Sequence, residues 1–221
     1  HQSGGEIINY DDKNILLSVG DYRRRFHAQD LQSVNGKIIR INLKDQNHKI
    51  ISMGHRNPQG IYYDKEDEYV LISEQGPQGG DEINLIEVDN IDNNSEVLNF
   101  GWPVVSAGEH YGGKSEHNIE RYKKYPLHKS HSKFGFIEPL KSFVPSVALT
   151  TILKIANKNY IIASLKDKSL YSFKLNNDNK IIDLNRIEIF ERIRDIVYKN
   201  NNLYLFLEDT ASIGIINIKD L

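Results

Sequence analysis

Two short segments of the chain hold residue types whose backbone could bind a ligand. They are 54–60, with the sequence GHRNPQG, and 74–86, with the sequence EQGPQGGDEINLI. Gly, Pro, Asn and Gln at this density impose special turn geometries and leave carbonyl oxygens free to contact an ion or a small molecule. A pair of tight turns between strands explains the same pattern, so the residues alone leave both interpretations open.

Two groups of arginines are the next candidates. Arg192 and Arg194 lie two positions apart on a predicted strand, so their side chains point to the same face. Guanidinium groups can hold carboxylates through two-point contacts. The residues alone nevertheless favour an exposed strand face, with the two arginines paired to Glu191 and Asp195. The triplet at 23–25 is likewise predicted to be a solvated loop rather than a binding patch.

Four histidines crowd one segment: His110, His117, His128 and His131. Their separations match no compact zinc-binding pattern. The sequence therefore predicts a solvated insertion with incidental histidines rather than a metal centre.

The elements that would position these side chains are β-strands. Helical periodicity is almost absent, and short β-branched and aromatic runs are separated by Asp, Asn and Lys turns. Strand pairs are predicted at 6–8 with 15–18, 61–63 with 69–72, 151–155 with 160–163, and 195–198 with 203–206. A third strand follows at 37–41, 169–173 and 214–218. Propeller blades have about 40–50 residues and four strands, so the pattern predicts about four blades, with a long loop insertion at about 87–142.

Composition excludes several classes of partner. The 221 residues carry a net charge of −2, which gives no sign of a nucleic-acid or anionic-membrane partner. The chain has no cysteine, so neither disulfides nor thiol chemistry apply. No apolar run approaches the roughly 18 residues that a membrane helix needs, so no membrane span is predicted.

Several motifs in a fixed order carry a resemblance to a known family. They are HQSGG at 1–5, VGD at 19–21, AQD at 28–30, GKIIRI at 36–41, the two segments described first, NFGWP at 99–103, FVPS at 143–146, SLK at 164–166 and RIRD at 192–195. Together they resemble the glucose/sorbosone dehydrogenases, which are soluble propeller enzymes that use pyrroloquinoline quinone (PQQ) and calcium. The resemblance implies an all-β, six-bladed β-propeller. This chain, 1–221, would be a single partial domain that lacks the leading blades.

The resemblance also implies a site. His1 would be the general base, although a histidine at position 1 also fits the remnant of an expression tag. Arg56 would be a second catalytic group. The implied PQQ-binding residues are Arg56, Asn57, Gln75, Lys166, Arg192 and Arg194, converging on one end of the propeller axis. The implied calcium ligands are the carbonyls of Gly76 and Pro77 and, at a second site, Glu82 and the backbone oxygen of Phe100. The loop at 87–98 is longer than is usual in the family, and this counts against the second calcium site.

The function implied by the resemblance is oxidation of an aldose at its anomeric hydroxyl to a lactone, with an external electron acceptor. A periplasmic or secreted location follows from the same resemblance, and a homodimer is left open. The first alternative is a non-catalytic propeller binding module of the same family that has lost PQQ. The second is a calcium-dependent lactonase on a similar propeller. That enzyme would need three or four acidic or amide side chains around one metal, and the sequence offers no such set.

Overall fold

The computed structural model describes residues 1–93 and 96–220. The chain divides into two compact units, His1–Ser146 and Val147–Leu221. Strands dominate both units, which confirms the prediction of an all-β chain. The described α-helices are only α1, Val88–Asp92, and α2, Ile119–Lys124, so no described helix exceeds three turns. None of the helices in the described part has the length and apolar character needed to span a bilayer.

The first sheet of the first unit has five strands in the order β1-β2-β3-β4-β8. Their bounds are Gly4–Asn9 for β1, Asn14–Val19 for β2, Lys37–Asn42 for β3, His48–Met53 for β4 and Leu98–Asn99 for β8. The first four pair antiparallel, whereas β8 pairs parallel to β4. The short β8 pairs with the end of β4, and just beyond it the Trp102 N–H donates to the Gly54 carbonyl at 3.0 Å.

The second sheet is antiparallel, in the order β5-β6-β7-β9. Its bounds are Pro58–Asp64 for β5, Tyr69–Glu74 for β6, Asp81–Glu87 for β7 and Lys141–Phe143 for β9. Residues 58–60 and 81–86, which belong to the two Gly- and Pro-rich segments described first, thus lie in strands rather than in turns. Ile83 and Ile86 are almost fully buried, so pairing β7 with β6 removes their side chains from water.

Each sheet of the second unit is also antiparallel. One sheet consists of β10, Leu149–Ala156, β11, Asn159–Ser164, β12, Ser169–Leu175, and β13, Ile181–Glu188. The other consists of β14, Ile193–Lys199, β15, Asn202–Leu207, and β16, Ser212–Asn217. The four described sheets match the recurring pattern in the sequence, while the number of blades and the single domain stay predictions.

Strand β6 forms the centre of the first unit's core. All six of its residues are buried, without the alternation of a half-exposed strand, because both faces of its sheet are covered. Val70 and Ile72 belong to one apolar cluster with Leu16, Ile38 and Phe100. Burying each such side chain contributes about 1.5–3 kcal/mol. This core fixes the ends of β4, β5 and β6, from which the candidate site is built.

Candidate active site

Arg56, in the connection between β4 and β5, has a buried side chain that is held by backbone carbonyls and an aromatic ring. Its Nη1 donates to the carbonyl of Gln75 at 2.8 Å and also to the carbonyl of Gly76. Its Cζ lies 5.6 Å from the centre of the Trp102 ring, a cation–π distance. Among residues 1–93 and 96–220, no carboxylate forms an ion pair with this guanidinium. The positive charge is therefore fixed in place and available to an anion.

A buried chain of polar groups holds the backbone of Arg56. The Arg56 N–H donates to Glu74 Oε1, and Glu74 Oε2 lies 2.8 Å from His55 Nδ1. His55 Nε2 lies in turn 2.8 Å from Ser52 Oγ. Serine, histidine and glutamate in this order resemble a hydrolase triad. Ser52 and His55 are 0% exposed, however, so no reactant reaches the hydroxyl, and the chain positions Arg56 instead.

Asp21 supports the same arginine from another side. Its N–H donates to the Arg56 carbonyl at 2.8 Å, and its carboxylate accepts from Trp102 Nε1 and from the Arg23 N–H, each at 2.8 Å. With its amide oriented to satisfy both neighbours, Gln2 donates to Asp21 at 2.6 Å and accepts from Arg56 Nη2 at 2.7 Å. Burial raises the pKa of Asp21, and these hydrogen bonds only partly offset it.

The segment that carries His1 is held against the loop after β2. The Gly20 N–H donates to the Ser3 carbonyl at 2.9 Å, and the Tyr22 N–H donates to the Gln2 carbonyl at 3.1 Å. A Cβ on Gly20 would lie 2.0 Å from the Gln2 carbonyl oxygen, so only glycine permits this close approach. His1 itself is exposed. The predicted base is thus adjacent in the chain to Gln2, which contacts Arg56.

Asn57 and Gln75 join Arg56 in one group. Asn57 Nδ2 donates to Gln75 Oε1 at 3.1 Å, and the Gln75 N–H donates to the Asn57 carbonyl at 3.0 Å. Asn57 Oδ1 accepts from the Gly4 N–H at 3.2 Å, which ties the group to β1. The structure therefore brings together three of the six predicted PQQ-binding residues.

The other three belong to the second unit. Arg192 Nε donates to Glu208 Oε1 at 3.3 Å, and Arg194 Nη2 donates to Glu208 Oε2, so both arginines lie on one face, as predicted. Their acidic partner is Glu208, so the predicted pairing with Glu191 and Asp195 was wrong. Lys166 follows β11 and is exposed. Convergence of all six residues on one site stays a prediction.

The two carbonyls predicted to bind the first calcium already accept hydrogen bonds. The Gly76 carbonyl accepts from Arg56, and the Pro77 carbonyl accepts from Ser146 Oγ at 3.0 Å. A carbonyl oxygen has two lone pairs, so each retains one for a ligand. A Cβ on Gly76 would lie 1.9 Å from the Gly80 carbonyl oxygen, which explains the glycine in this tight turn. These groups fit a hard cation that binds backbone oxygens.

The surroundings of Glu82 also contain an unused oxygen. Asn84 Nδ2 donates to Glu82 Oε2 at 3.4 Å, while the buried Asn84 Oδ1 has no hydrogen-bond partner. Burial raises the pKa of Glu82, because removing the carboxylate from water disfavours its charged form. The side-chain clusters of the described residues include no group of three His, Cys, Asp or Glu that could hold a metal. The predicted second site instead combines Glu82 with the backbone oxygen of Phe100.

His131 is a second group that could compensate the charge of Glu82. It is 1% exposed, so its assignment to a solvated insertion was wrong. Its Nε2 lies 3.4 Å from Glu82 Oε1, and its Nδ1 lies 3.5 Å from Glu138 Oε2. Burial opposes protonation of the ring, but the carboxylates of Glu82, Glu138 and Glu74 together outweigh burial and raise the pKa of His131. A protonated His131 and a cation would both compensate the same carboxylate.

A cleft beside Arg56 carries an unusual concentration of positive charge. It has a volume of about 440 Å³ and is lined by Gln2, Arg23, Arg25, Arg56, Tyr111, Arg121 and Tyr125. Three of these residues come from the insertion at 87–142 and two from the triplet at 23–25. The prediction of a solvated loop at 23–25 was therefore wrong for Arg25, which is partly buried. The spacing of Arg121 and Tyr125, one helical turn apart, was a signal that sequence reasoning did not use.

His110 anchors Arg25 in this cleft. Arg25 Nη1 lies 2.8 Å from His110 Nδ1, and His110 Nε2 lies 2.8 Å from the Tyr125 carbonyl. Because a guanidinium only donates, Nδ1 accepts and the proton is on Nε2. Burial lowers the pKa of His110, so the ring is neutral. His110 is fully buried, so its assignment to a solvated insertion was also wrong.

Comparison with known sequences identifies the family. Residues 1–217 match the sequence model described as Glucose / Sorbosone dehydrogenase. The chain belongs to this family. The aldose sugar dehydrogenase YliI of Escherichia coli (strain K12) is 28% identical to this family member over 232 residues, or 95% of this chain and 57% of the relative. Quinoprotein glucose dehydrogenase B of Acinetobacter calcoaceticus is 31% identical over 137 residues, or 48% of this chain and 27% of the relative. The chain thus spans less than two thirds of each of these two relatives.

Solved structures in the family share the fold. The apo-form of the soluble aldose sugar dehydrogenase from Escherichia coli superposes with a TM-score of 0.77 at 24% identity, covering 96% of this chain and 62% of that one. The PQQ-bound aldose sugar dehydrogenase from Streptomyces coelicolor gives a TM-score of 0.70 at 23% identity, covering 96% of this chain and 60% of that one. These likenesses confirm the predicted fold class, an all-β chain of the propeller type.

Proposed function

We propose that the complete protein is a PQQ- and calcium-dependent sugar dehydrogenase that oxidises an aldose at its anomeric hydroxyl to a lactone. The observation that carries the proposal is the buried guanidinium of Arg56, held by the carbonyls of Gln75 and Gly76 without an acidic partner among the described residues. Membership of the glucose/sorbosone dehydrogenase family supports the same class of reaction.

The residues of the first unit fit PQQ. The cofactor carries three carboxylates. The fixed guanidinium of Arg56 forms no ion pair with a carboxylate among the described residues, and it lies beside the amide side chains of Asn57 and Gln75. Arg56, Asn57 and Gln75 would hold it, with Lys166, Arg192 and Arg194 as further ligands from the second unit. Once bound, PQQ would supply the two-electron acceptor for the hydride that leaves C1 of the sugar.

The protein's own groups would handle the proton and the charge. His1 would accept the proton of the anomeric hydroxyl, because imidazole is the side chain that titrates nearest neutral pH. Arg56 would stabilise the negative charge that develops on the sugar oxygen. Gln2 and Asp21 would hold Arg56 and the segment that carries His1 in fixed positions relative to each other, because both residues contact the arginine.

Calcium would be held by the carbonyls of Gly76 and Pro77, which retain lone pairs next to Arg56. There it would polarise the acceptor and raise its affinity for hydride. A second ion at Glu82 and Phe100 would be structural and would compensate a carboxylate that burial otherwise destabilises. The external electron acceptor and a periplasmic or secreted location belong to the same proposal.

The test uses the complete protein, with and without added PQQ and calcium. PQQ binding is followed by its absorbance at equilibrium, and sugar oxidation is followed by reduction of an artificial dye. We expect saturable PQQ binding that requires calcium, and dye reduction that requires both together with an aldose. If PQQ does not bind in the presence of calcium, the non-catalytic binding module replaces the enzyme.

A further inference from the structure

The cleft holds more positive charge than a neutral sugar requires. Arg23, Arg25, Arg56 and Arg121 line it, and the lining contains no aspartate or glutamate. Within the described ranges none of the four forms an ion pair with a carboxylate. Like charges that line one cleft repel one another, and the repulsion is stronger where burial limits screening by water.

The side chains of three of these arginines make their direct hydrogen bonds to neutral groups, and the acid near Arg25 and Arg56 is the buried Asp21. Arg25 donates to the neutral His110, and Arg121 Nη1 donates to the amide oxygen of Asn118 at 2.8 Å. Arg56 donates to backbone carbonyls. Burial lowers the pKa of Arg25, the charges of Arg121 and Arg56 lower it further, and Asp21 offsets this only in part. An anion in the cleft would remove this repulsion.

Two aromatic rings fix the plane of the Arg25 guanidinium. Its Cζ lies 5.3 Å from the centre of the Trp102 ring and 5.2 Å from the centre of the Tyr125 ring. A guanidinium held in this way presents its remaining N–H groups in a fixed direction, as two-point binding of a carboxylate requires. The exposed Tyr111, at the edge of the cleft, adds a hydroxyl that suits a carbohydrate.

We propose that Arg25 and Arg121 bind an acidic group carried by the substrate, so that the sugar oxidised is anionic, with a hexuronate as the simplest case. This inference rests on the proposed function and names its substrate class. Neither arginine is among the residues that the family resemblance assigns to PQQ. Arg121 comes from α2 in the insertion, so the insertion would determine specificity while Arg56 serves the reaction.

The binding test uses the complete protein without PQQ and titrates it with sodium glucuronate, glucose, glucose 6-phosphate and inorganic phosphate. We expect glucuronate to bind at least about tenfold more tightly than glucose, the scale of one charge-assisted hydrogen bond. R25Q and R121Q should each weaken glucuronate binding about tenfold or more. R24Q is the matched control, because Arg24 is exposed, has the same charge and does not line the cleft.

The outcomes separate the candidate anions. Tightest binding of glucose 6-phosphate assigns the cleft to a phosphorylated sugar, whereas equal binding of inorganic phosphate overturns a sugar-specific site. If R25Q and R121Q weaken PQQ binding and leave glucuronate binding unchanged, the arginines serve the cofactor and the proposal is wrong. Because Arg121 is exposed, R121Q is expected to fold even if R25Q does not.

Kinetics of the loaded protein distinguish this inference from the proposed function. If the inference holds, R121Q raises KM for glucuronate more than it lowers kcat. Glucuronate binding without any dye reduction would overturn the dehydrogenase while retaining the anion site. Dye reduction with glucose but no preference for glucuronate would retain the dehydrogenase and overturn the anionic substrate.

Discussion

Arg56 combines three kinds of support that do not neutralise its charge: backbone carbonyls, an aromatic ring and a hydrogen-bonded main chain. The guanidinium contacts Gln75, Gly76 and Trp102, while its N–H contacts the carboxylate of Glu74. An ion pair at the guanidinium would hold the side chain equally well but would remove its attraction for a ligand. The arrangement therefore fixes the group and preserves its charge.

Glu74→Gln tests this support. The amide keeps only one acceptor oxygen, so either the Arg56 N–H or His55 Nδ1 loses its partner inside the core. We expect the free energy of unfolding to fall by about 1–3 kcal/mol, the cost of an unsatisfied buried group, and PQQ affinity to fall with it. Denaturant titration measures the first and absorbance the second.

The control for Glu74→Gln is Glu120→Gln, a change of the same kind in a side chain that is 82% exposed. It should alter stability by less than about 0.5 kcal/mol. Equal changes in stability and in PQQ affinity for the two variants would show that the buried chain of polar groups does not position Arg56.

His1→Gln tests the proposed base. Dye-linked turnover should fall by about 10²–10⁴-fold, the usual contribution of a positioned base, while PQQ affinity stays nearly constant. His117→Gln is the control, because His117 is exposed in the insertion and outside the cleft lining. Near-normal turnover in His1→Gln would rule out His1 as the base and would favour a histidine left from a tag.

At the scale of elements, Lys37 connects β3 to the 3₁₀ helix Arg25–Gln29, from which Arg25 extends. Its Nζ is buried and donates to the carbonyls of His27, Ala28 and Asn35 at 2.7, 3.1 and 2.8 Å. Burial lowers the pKa of Lys37 to about 8. The position of one cleft arginine thus depends on a buried ammonium group.

This burial predicts a pH dependence of stability. Between about pH 8 and pH 10.5 the unfolded chain binds a proton at Lys37 that the folded chain has released, so stability rises with pH across that window. The rise should be less than about 3 kcal/mol, because the three carbonyls favour the charged form. Urea unfolding at several pH values measures it. Lys37→Met should remove the rise, whereas Lys44→Met, at an exposed position, should keep it; a rise that persists in Lys37→Met would assign it to another group.

Much of the strand pattern could be predicted from sequence, but the insertion could not. The predicted strands are all present because short β-branched and aromatic runs between Asp, Asn and Lys turns favour hairpins locally. Strand β7 was missed because its DE pair follows a Gly-rich turn and resembles a loop. The cleft was missed because Arg25, His110 and Tyr125 meet through contacts between segments far apart in the chain, which no local pattern encodes.

At the scale of the whole molecule, the predicted PQQ-binding residues are divided between the two units. Arg56, Asn57 and Gln75 form one contact group, and Arg192 and Arg194 share Glu208 in the other unit. If all of them bind PQQ in the complete protein, loss of either group should weaken PQQ binding to a similar extent.

Arg192→Ala tests whether the second unit contributes to PQQ binding. It should weaken PQQ binding by about 1.5–3 kcal/mol, the value of a charge-assisted contact, with a smaller effect on turnover at saturating PQQ. Arg186→Ala is the control, because Arg186 is likewise an arginine of the second unit paired with acids, Asp167 and Glu188. Unchanged PQQ affinity in Arg192→Ala would confine the cofactor site to the first unit.

Calcium removal tests both predicted ion sites at once. A chelator should abolish dye reduction and lower the thermal midpoint together, because a ligand present at about 100 times its Kd stabilises the fold by about 2.7 kcal/mol. Re-addition of calcium should restore both, and magnesium should not, because it prefers an octahedral shell with several waters. A midpoint insensitive to the chelator would contradict the structural ion at Glu82.

The buried chain from Ser52 to Glu74 has a consequence for spectroscopy. A carboxylate only accepts, so His55 Nδ1 carries a proton directed at Glu74, and the fully buried ring shields that proton from solvent. It should therefore exchange slowly enough to give a resolved downfield NMR resonance. Since Glu74 also accepts from the Arg56 N–H, a ligand that displaces Arg56 should shift this resonance, which would report occupancy of the site without any turnover.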